Sequence, residues 1–305
     1  MPTRPARLAI AVAVVLLGAV GCMPDEAGTS TPTPGPGATA SVPDTTASAP
    51  DATPGTGVAS ADATATPADT TLDVLVTSDD GVGAAGLDAI ARALAALPDT
   101  TVRIVAPAAN QSGTGGKTSD GAVNHSDTTT ASGLRATEVN GYPADAVNVA
   151  LDDLGLKPDL VVSGIHEGQS LGPDVDTSGT IGAARAAAQR GIPALAASLG
   201  LGDTYDYDPA VKQILTWIAT HRADLLTTPA ATRRQTMLFN LNVPNCYAGG
   251  SVRGLRALDT EPQVPDPATA RQPQTCTTTS SPGNEVASFN AGYATLTTLY
   301  PRPTK

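Results

Sequence analysis

Asp79 and Asp80 stand side by side directly after the apolar run Leu72-Asp73-Val74-Leu75-Val76-Thr77. Two neighbouring carboxylates at a strand end repel one another, and a bound cation is the simplest relief of that repulsion. Asp-Asp-Gly by itself also reads as a turn, because Asp and Gly are common there. Asn110, Gln111 and Ser112 follow a second apolar run, and His166 and Glu167 follow a third, Leu160-Val161-Val162-Ser163. Amide, hydroxyl and carboxylate oxygens suit Mg²⁺ or Mn²⁺, and an imidazole adds affinity for Zn²⁺. Thr177-Ser178-Gly179-Thr180 opens a helical stretch. The amides at such a helix start, with flanking hydroxyls, can cradle a phosphate, although Ser before a helix also reads as an ordinary N-cap. Neither a Walker motif nor a dinucleotide glycine fingerprint is present.

Elements of alternating type must position these residues. The runs 72–77, 101–106, 160–163, 194–199 and 237–241 read as strands. Leu87, Ile90, Leu94 and Leu97 share one face of a helix over 86–97 that Pro98 ends. Further helices are expected over 143–154, over the small-residue segment 179–190, and over 208–221. Residues 120–140 read as irregular or hairpin structure, and 293–300, rich in Thr and Tyr, as a last strand. Strands alternating with helices predict a Rossmann-like α/β fold, a mostly parallel sheet with helices on both faces, plus a C-terminal hairpin or extension. Ligands in such sheets sit beyond the carboxyl ends of the strands. The loops after the first three strands therefore converge on one crevice.

Read together, several stretches resemble the SurE family of 5'/3'-nucleotidases. They are Leu75-Val76-Thr77-Ser78-Asp79-Asp80-Gly81-Val82, Val105-Ala106-Pro107 with Asn110-Gln111-Ser112-Gly113, and Gly141-Tyr142-Pro143-Ala144-Asp145-Ala146-Val147. Pro158-Asp159-Leu160-Val161-Val162-Ser163-Gly164-Ile165, Ser178-Gly179-Thr180-Ile181-Gly182-Ala183-Ala184, Asn240-Leu241-Asn242-Val243-Pro244 and Ala291-Gly292-Tyr293 extend the likeness over about 72–300 in the family's order. The resemblance implies a SurE-like, metal-dependent phosphatase acting on nucleoside monophosphates. It puts the metal ligands on Asp79, Asp80, Ser112 and His166, with phosphate at Ser178, Gly179 and Thr180. It implies dimers or tetramers built partly by the C-terminal segment. Four positions depart from the family pattern. His166 replaces an Asn, Ser78 replaces the Asn before the paired acids, Thr177 replaces a Tyr, and Pro173 replaces one acid of a pair, leaving Asp174.

Two functions stay open on these residues. In the first, the protein hydrolyses phosphate monoesters, with Asp79 as base or as ligand only. In the second, the change at His166 leaves a catalytically degenerate nucleotide- or phosphate-binding protein. A haloacid-dehalogenase-type phosphatase needs Asp-x-Asp after its first strand, which adjacent Asp79 and Asp80 do not provide. Lys117 reads as an exposed lysine, Trp217 as core, and His125 and His221 as surface residues.

The 305 residues carry a formal net charge of -11, which disfavours polyanionic partners and hence nucleic-acid polymers. Arg4 and Arg7 are the only charges before Cys22, and Leu8 to Val20 is apolar apart from Gly18. That run is short for a membrane span and suits the core of an export signal. Ala19-Val20-Gly21-Cys22 resembles a bacterial lipobox, with Ala19 in place of the usual Leu. The expected organisation is a lipoprotein signal peptide at 1–22 lipidated at Cys22, a disordered Thr/Pro/Ala-rich tether at 23–70, and the phosphatase domain at 71–305. The chain is then anchored to the outer face of the bacterial cell membrane, or secreted if Cys22 is not lipidated. In that oxidising setting Cys246 and Cys276 are expected to pair.

Overall fold

A computed structural model describes residues 70–227 and 237–300. The expected signal peptide, Cys22 and all of the expected tether except Thr70 lie outside the described residues. Nine strands form one sheet in the order β3-β4-β2-β1-β5-β6-β7-β9-β8. The strands are β1 (Leu72–Thr77), β2 (Thr100–Pro107), β3 (His125–Thr129), β4 (Arg135–Val139), β5 (Leu160–Glu167), β6 (Ala194–Leu199), β7 (Leu238–Val243), β8 (Leu255–Ala257) and β9 (Ala294–Leu299). Strands β2, β1, β5, β6 and β7 run parallel, and the β2–β4 pairing is parallel as well. The stretch read as irregular or hairpin structure is the antiparallel β3–β4 pair. The expected C-terminal strand is β9, antiparallel to β7, with the short β8 running parallel to β9 at the sheet edge.

The two-residue period of the strands explains the layers. Val74 and Val76 point to one face of β1 and Leu75 to the other, as Leu160 and Val162 oppose Val161 on β5. The first face packs against α1 (Ala85–Ala95) and α4 (Asp208–Thr227), through Leu87, Ile90 and Leu94 and through Ile214, Trp217 and Ile218. The second packs against α2 (Pro143–Asn148) and α3 (Gly179–Gln189), through Ala146, Val147, Ile181 and Ala184. Each fully buried Leu, Ile or Val side chain among these contributes about 1.5–3 kcal/mol relative to exposure.

Three elements differ from their expected extents. The helix expected over 143–154 is α-helical only to Asn148 and continues as a π turn over Val149–Asp153. β5 runs on through His166 and Glu167, with an irregularity in its pairing to β6 between Ser163 and His166. α4 extends to Thr227, past the expected end at His221. There, Trp217 stacks on His221 at 4.3 Å, and the His221 Nδ1 lies 2.8 Å from the Trp217 carbonyl. His221 thus helps cover the core rather than serving only the surface.

Residues after β7 form an extension with its own small core of Leu171, Ala270, Val286 and Phe289, the last on α5 (Glu285–Asn290). Cys246 and Cys276 are disulfide-bonded there, with Cα atoms 5.7 Å apart. Among the described residues no helix is long and apolar enough to cross a membrane.

Candidate metal centre

The carboxyl ends of β1 and β5 are adjacent in the sheet, so Asp79 and Asp80 emerge beside His166. One ligand atom from each of these three residues lies within 4.8 Å of the other two. His166 Nε2 is 4.0 Å from Asp79 Oδ2 and 3.8 Å from Asp80 Oδ1. His166 Nδ1 lies 2.6 Å from the carbonyl of Gly168. A carbonyl oxygen only accepts, so Nδ1 carries a proton and Nε2 is the ring nitrogen that faces the two acids. Fixing a ligating imidazole through its other nitrogen is how metal sites hold ring orientation.

Asp79 is 1% exposed, and its Oδ1 accepts a hydrogen bond from the Thr180 hydroxyl at 2.6 Å. Its Oδ2 is buried without any hydrogen-bond partner, and it is the oxygen facing His166. Burial raises the Asp79 pKa; His166 and the Thr180 hydroxyl oppose that rise, while the neighbouring Asp80 adds to it. An orphaned carboxylate oxygen in the interior costs about 1–3 kcal/mol or more. A divalent cation supplies the missing partner, and one imidazole with two carboxylates is a donor set that accepts one. The residues present therefore fit a metal.

Asp80 is held from three directions. Its Oδ1 accepts from Asn110 Nδ2 at 3.0 Å and from the Ser112 hydroxyl at 3.1 Å, and its Oδ2 accepts from the Glu167 amide at 3.0 Å. The loop after β2 thus reaches the acids as the strand-end rule anticipates. It is fixed by the Gln111 amide on the Asp79 carbonyl at 2.6 Å and by the Gly115 amide on the Thr177 carbonyl at 2.9 Å. Close packing accounts for two glycines of α3. A Cβ on Gly182 would sit 1.9 Å from the Gly115 carbonyl oxygen, and one on Gly179 would sit 2.8 Å from Asp79 Oδ2.

Ser178, Gly179 and Thr180 lie at the same crevice, but their hydroxyls are engaged within the protein. The Ser178 hydroxyl caps the Ile181 amide at 3.3 Å and bonds the Ser170 hydroxyl at 2.9 Å, which in turn accepts from Ser198 at 3.2 Å. The Thr180 hydroxyl serves Asp79. These hydroxyls thus have partners within the protein: Ser178 satisfies its own helix, and a buried carboxylate claims Thr180. Backbone amides of the first turn of α3 remain the groups aimed at the crevice by helix geometry.

Asp174 is not in the cluster. Its carboxylate is paired with Arg271 of the extension, through Nε at 2.8 Å and through Nη2. Lys117 is exposed. His125 Nε2 lies 3.9 Å from Asp153, remote in sequence from every residue of the centre. The reading of strand ends stopped at three loops and passed over the fourth, after β6. That loop brings Tyr205 and Tyr207 to the same edge, and the Tyr207 hydroxyl donates to Glu167 Oε1. The strand-end rule, applied to β6 as well, points to them.

A family model described as survival protein SurE matches residues 74–261. The chain is similar to the 5'-nucleotidase SurE of Methanoculleus marisnigri, 45% identical over 141 residues, which are 45% of this chain and 52% of that protein. It is similar to the 5'-nucleotidase SurE of Pelobacter propionicus, 38% identical over 185 residues, which are 58% of this chain and 68% of that protein. The match to the first of these, like that to the 5'-nucleotidase SurE of Methanocorpusculum labreanum at 49%, spans about half the relative's length. Among solved structures, the SurE protein from Aquifex aeolicus superposes with a TM-score of 0.60 at 24% identity, covering 76% of this chain and 94% of that one. That likeness establishes the SurE-like fold.

Proposed function

The chain belongs to the SurE family, and from that premise we propose that it is a divalent-metal-dependent phosphomonoesterase, a 5'/3'-nucleotidase releasing phosphate from nucleoside monophosphates. The observation that carries the reading is the buried, unpartnered Asp79 Oδ2 within reach of Asp80 and His166. Asp79, Asp80 and His166 hold the cation, with Ser112 beside them. Mg²⁺ or Mn²⁺ suits the oxygens, and the imidazole of His166 moves the preference toward Mn²⁺ or Zn²⁺. Such a cation supplies charge stabilisation at a phosphoryl oxygen and an activated water.

The chain's own groups do the rest. Asn110, Ser112 and the Glu167 amide hold Asp80 in orientation. Thr180 fixes the rotamer of Asp79. The first-turn amides of α3 hold phosphoryl oxygens, where aligned peptide dipoles favour negative charge. Relatives named 5'-nucleotidase support the substrate class. The test is phosphate release from AMP and other monoesters by the full chain. Hydrolysis is expected, stopped by EDTA and restored by Mn²⁺. Failure across several metals and a broad ester panel returns the protein to the degenerate binder.

We further propose the domain boundaries given above and a lipid anchor at Cys22. The support is the sequence 1–22, with its basic start, short apolar core and lipobox-like end. Cys22→Ala should shift the protein from the detergent phase to the aqueous phase on phase partition of expressing cells; an unchanged distribution refutes lipidation.

A further inference from the structure

The loop after β6 and its supports carry an inference that rests on the hydrolase reading and deepens it. Leu201, Tyr205 and Tyr207 form an apolar and aromatic rim beside the acids. A Cβ placed on Gly168 would lie 3.1 Å from His166 Cε1 and 3.5 Å from Leu201 Cδ2, so Leu201 and the imidazole both lie against Gly168. Leu201 is 43% exposed, one of the few large apolar side chains in the described residues that is. Tyr205 and Tyr207 are half-buried, with near-parallel rings 6.2 Å apart and 19° between their planes. Tyr207 is locked by donating to Glu167, whose amide holds Asp80. The rim is therefore within a few side chains of the place where phosphorus would sit.

A surface loop with this role must be held still. The Leu201 amide donates to Gln169 Oε1 at 2.9 Å. Asn245 Nδ2 donates to the Thr204 carbonyl at 2.7 Å, and the Asn245 amide donates to Gln274 Oε1 at 3.1 Å. Asn245 precedes Cys246, and Gln274 stands two residues before Cys276. The disulfide thus joins the segment of Gln274 to that of Asn245, and Asn245 grips the loop at Thr204.

We propose that the Leu201–Tyr207 loop is the leaving-group subsite. Tyr205 offers its ring to a planar base, and Leu201 flanks it. The ligand is a phosphate monoester whose alcohol carries an aromatic heterocycle, preferred over an aliphatic one. Stacking on an aromatic side chain is worth about a tenfold or larger change in affinity per base.

The test compares the full chain with Tyr205→Ala and Tyr205→Phe on AMP and on glycerol 2-phosphate, with Mn²⁺ present. Calorimetric titration of AMP runs alongside. The ratio of kcat/KM for AMP to that for glycerol 2-phosphate should fall about tenfold in Tyr205→Ala, through KM, with AMP affinity falling in step. Tyr205→Phe should keep both. Equal losses on the two esters, unchanged AMP affinity, or no AMP binding by the unaltered chain each overturn the subsite. AMP binding that weakens in Tyr205→Ala while neither ester is turned over upholds the subsite and refutes the hydrolase reading alone.

Discussion

Thr180 and His166 illustrate how single side chains set the properties of the centre. The Thr180 hydroxyl donates to Asp79 Oδ1 at 2.6 Å, and Thr180 is fully buried. Replacing it with Val keeps the shape and removes the donor. Loss of such an outer partner typically lowers metal affinity about 10–100-fold. Thr180→Val should show that loss in metal titrations of activity, and Thr180→Ser should not. His166 stands where the family pattern has Asn. Its Nε2 favours Mn²⁺ and Zn²⁺ over Mg²⁺, so His166→Asn should move the preference back toward Mg²⁺ by about tenfold or more. Equal responses to the three metals before and after the exchange would take His166 out of the coordination shell. Asp79, Asp80 and Ser112 were legible from residue type and strand-end position together. The Thr180–Asp79 bond was not, because nothing in the local sequence says that an N-terminal helix hydroxyl will face a buried carboxylate about a hundred residues away.

Among the elements, the extension after β7 has two features open to measurement. Glu285, at the start of α5, is 1% exposed, and its pKa is pushed up to about 7 by burial and by the nearby Glu261 carboxylate. The Glu261 amide donates to Glu285 Oε2 at 3.1 Å, while Glu285 Oε1 is buried without a hydrogen-bond partner. The folded chain keeps this proton above the ordinary value of 4.5, whereas the unfolded chain releases it there. Its contribution to stability is therefore complete below about pH 4.5 and declines as pH rises to about 7. Melting temperature should drop across that window, and Glu285→Gln, which mimics the protonated acid, should flatten the profile and melt higher than the unaltered chain at pH 8. The second feature is the disulfide, which closes a loop with a sequence separation of 30. Removing it with Cys246→Ser and Cys276→Ser should cost about 3–4 kcal/mol on the chain-entropy account, read as a lower urea midpoint. The extension was the least legible region. Its residues lack a clear period, and its small core forms only against Leu171 of the 170s loop and the sheet edge.

For the whole molecule, hydrophobic period and strand-end geometry were enough to anticipate a mostly parallel sheet with helices on both faces and a crevice shared by the loops after β1, β2 and β5. Period is informative there because the central strands are buried on both faces and the helices on one. It is weak at β3 and β4, where the sequence reads as irregular or hairpin structure: β3 lies mostly exposed at the sheet edge, and β4 buries only Ala136 and Val139. It failed to find the end of β5, where a polar pair, His166 and Glu167, continues the strand past its last apolar residue, Ile165. The account as a whole turns on one cation shared by residues from two strand ends. The most direct measurement is a crystal grown with Mn²⁺ and read by anomalous diffraction. A single strong peak should lie about 2.0–2.3 Å from Asp79 Oδ2, a carboxylate oxygen of Asp80 and His166 Nε2. No peak, or one bound elsewhere while these three atoms keep their present spacing, would contradict it.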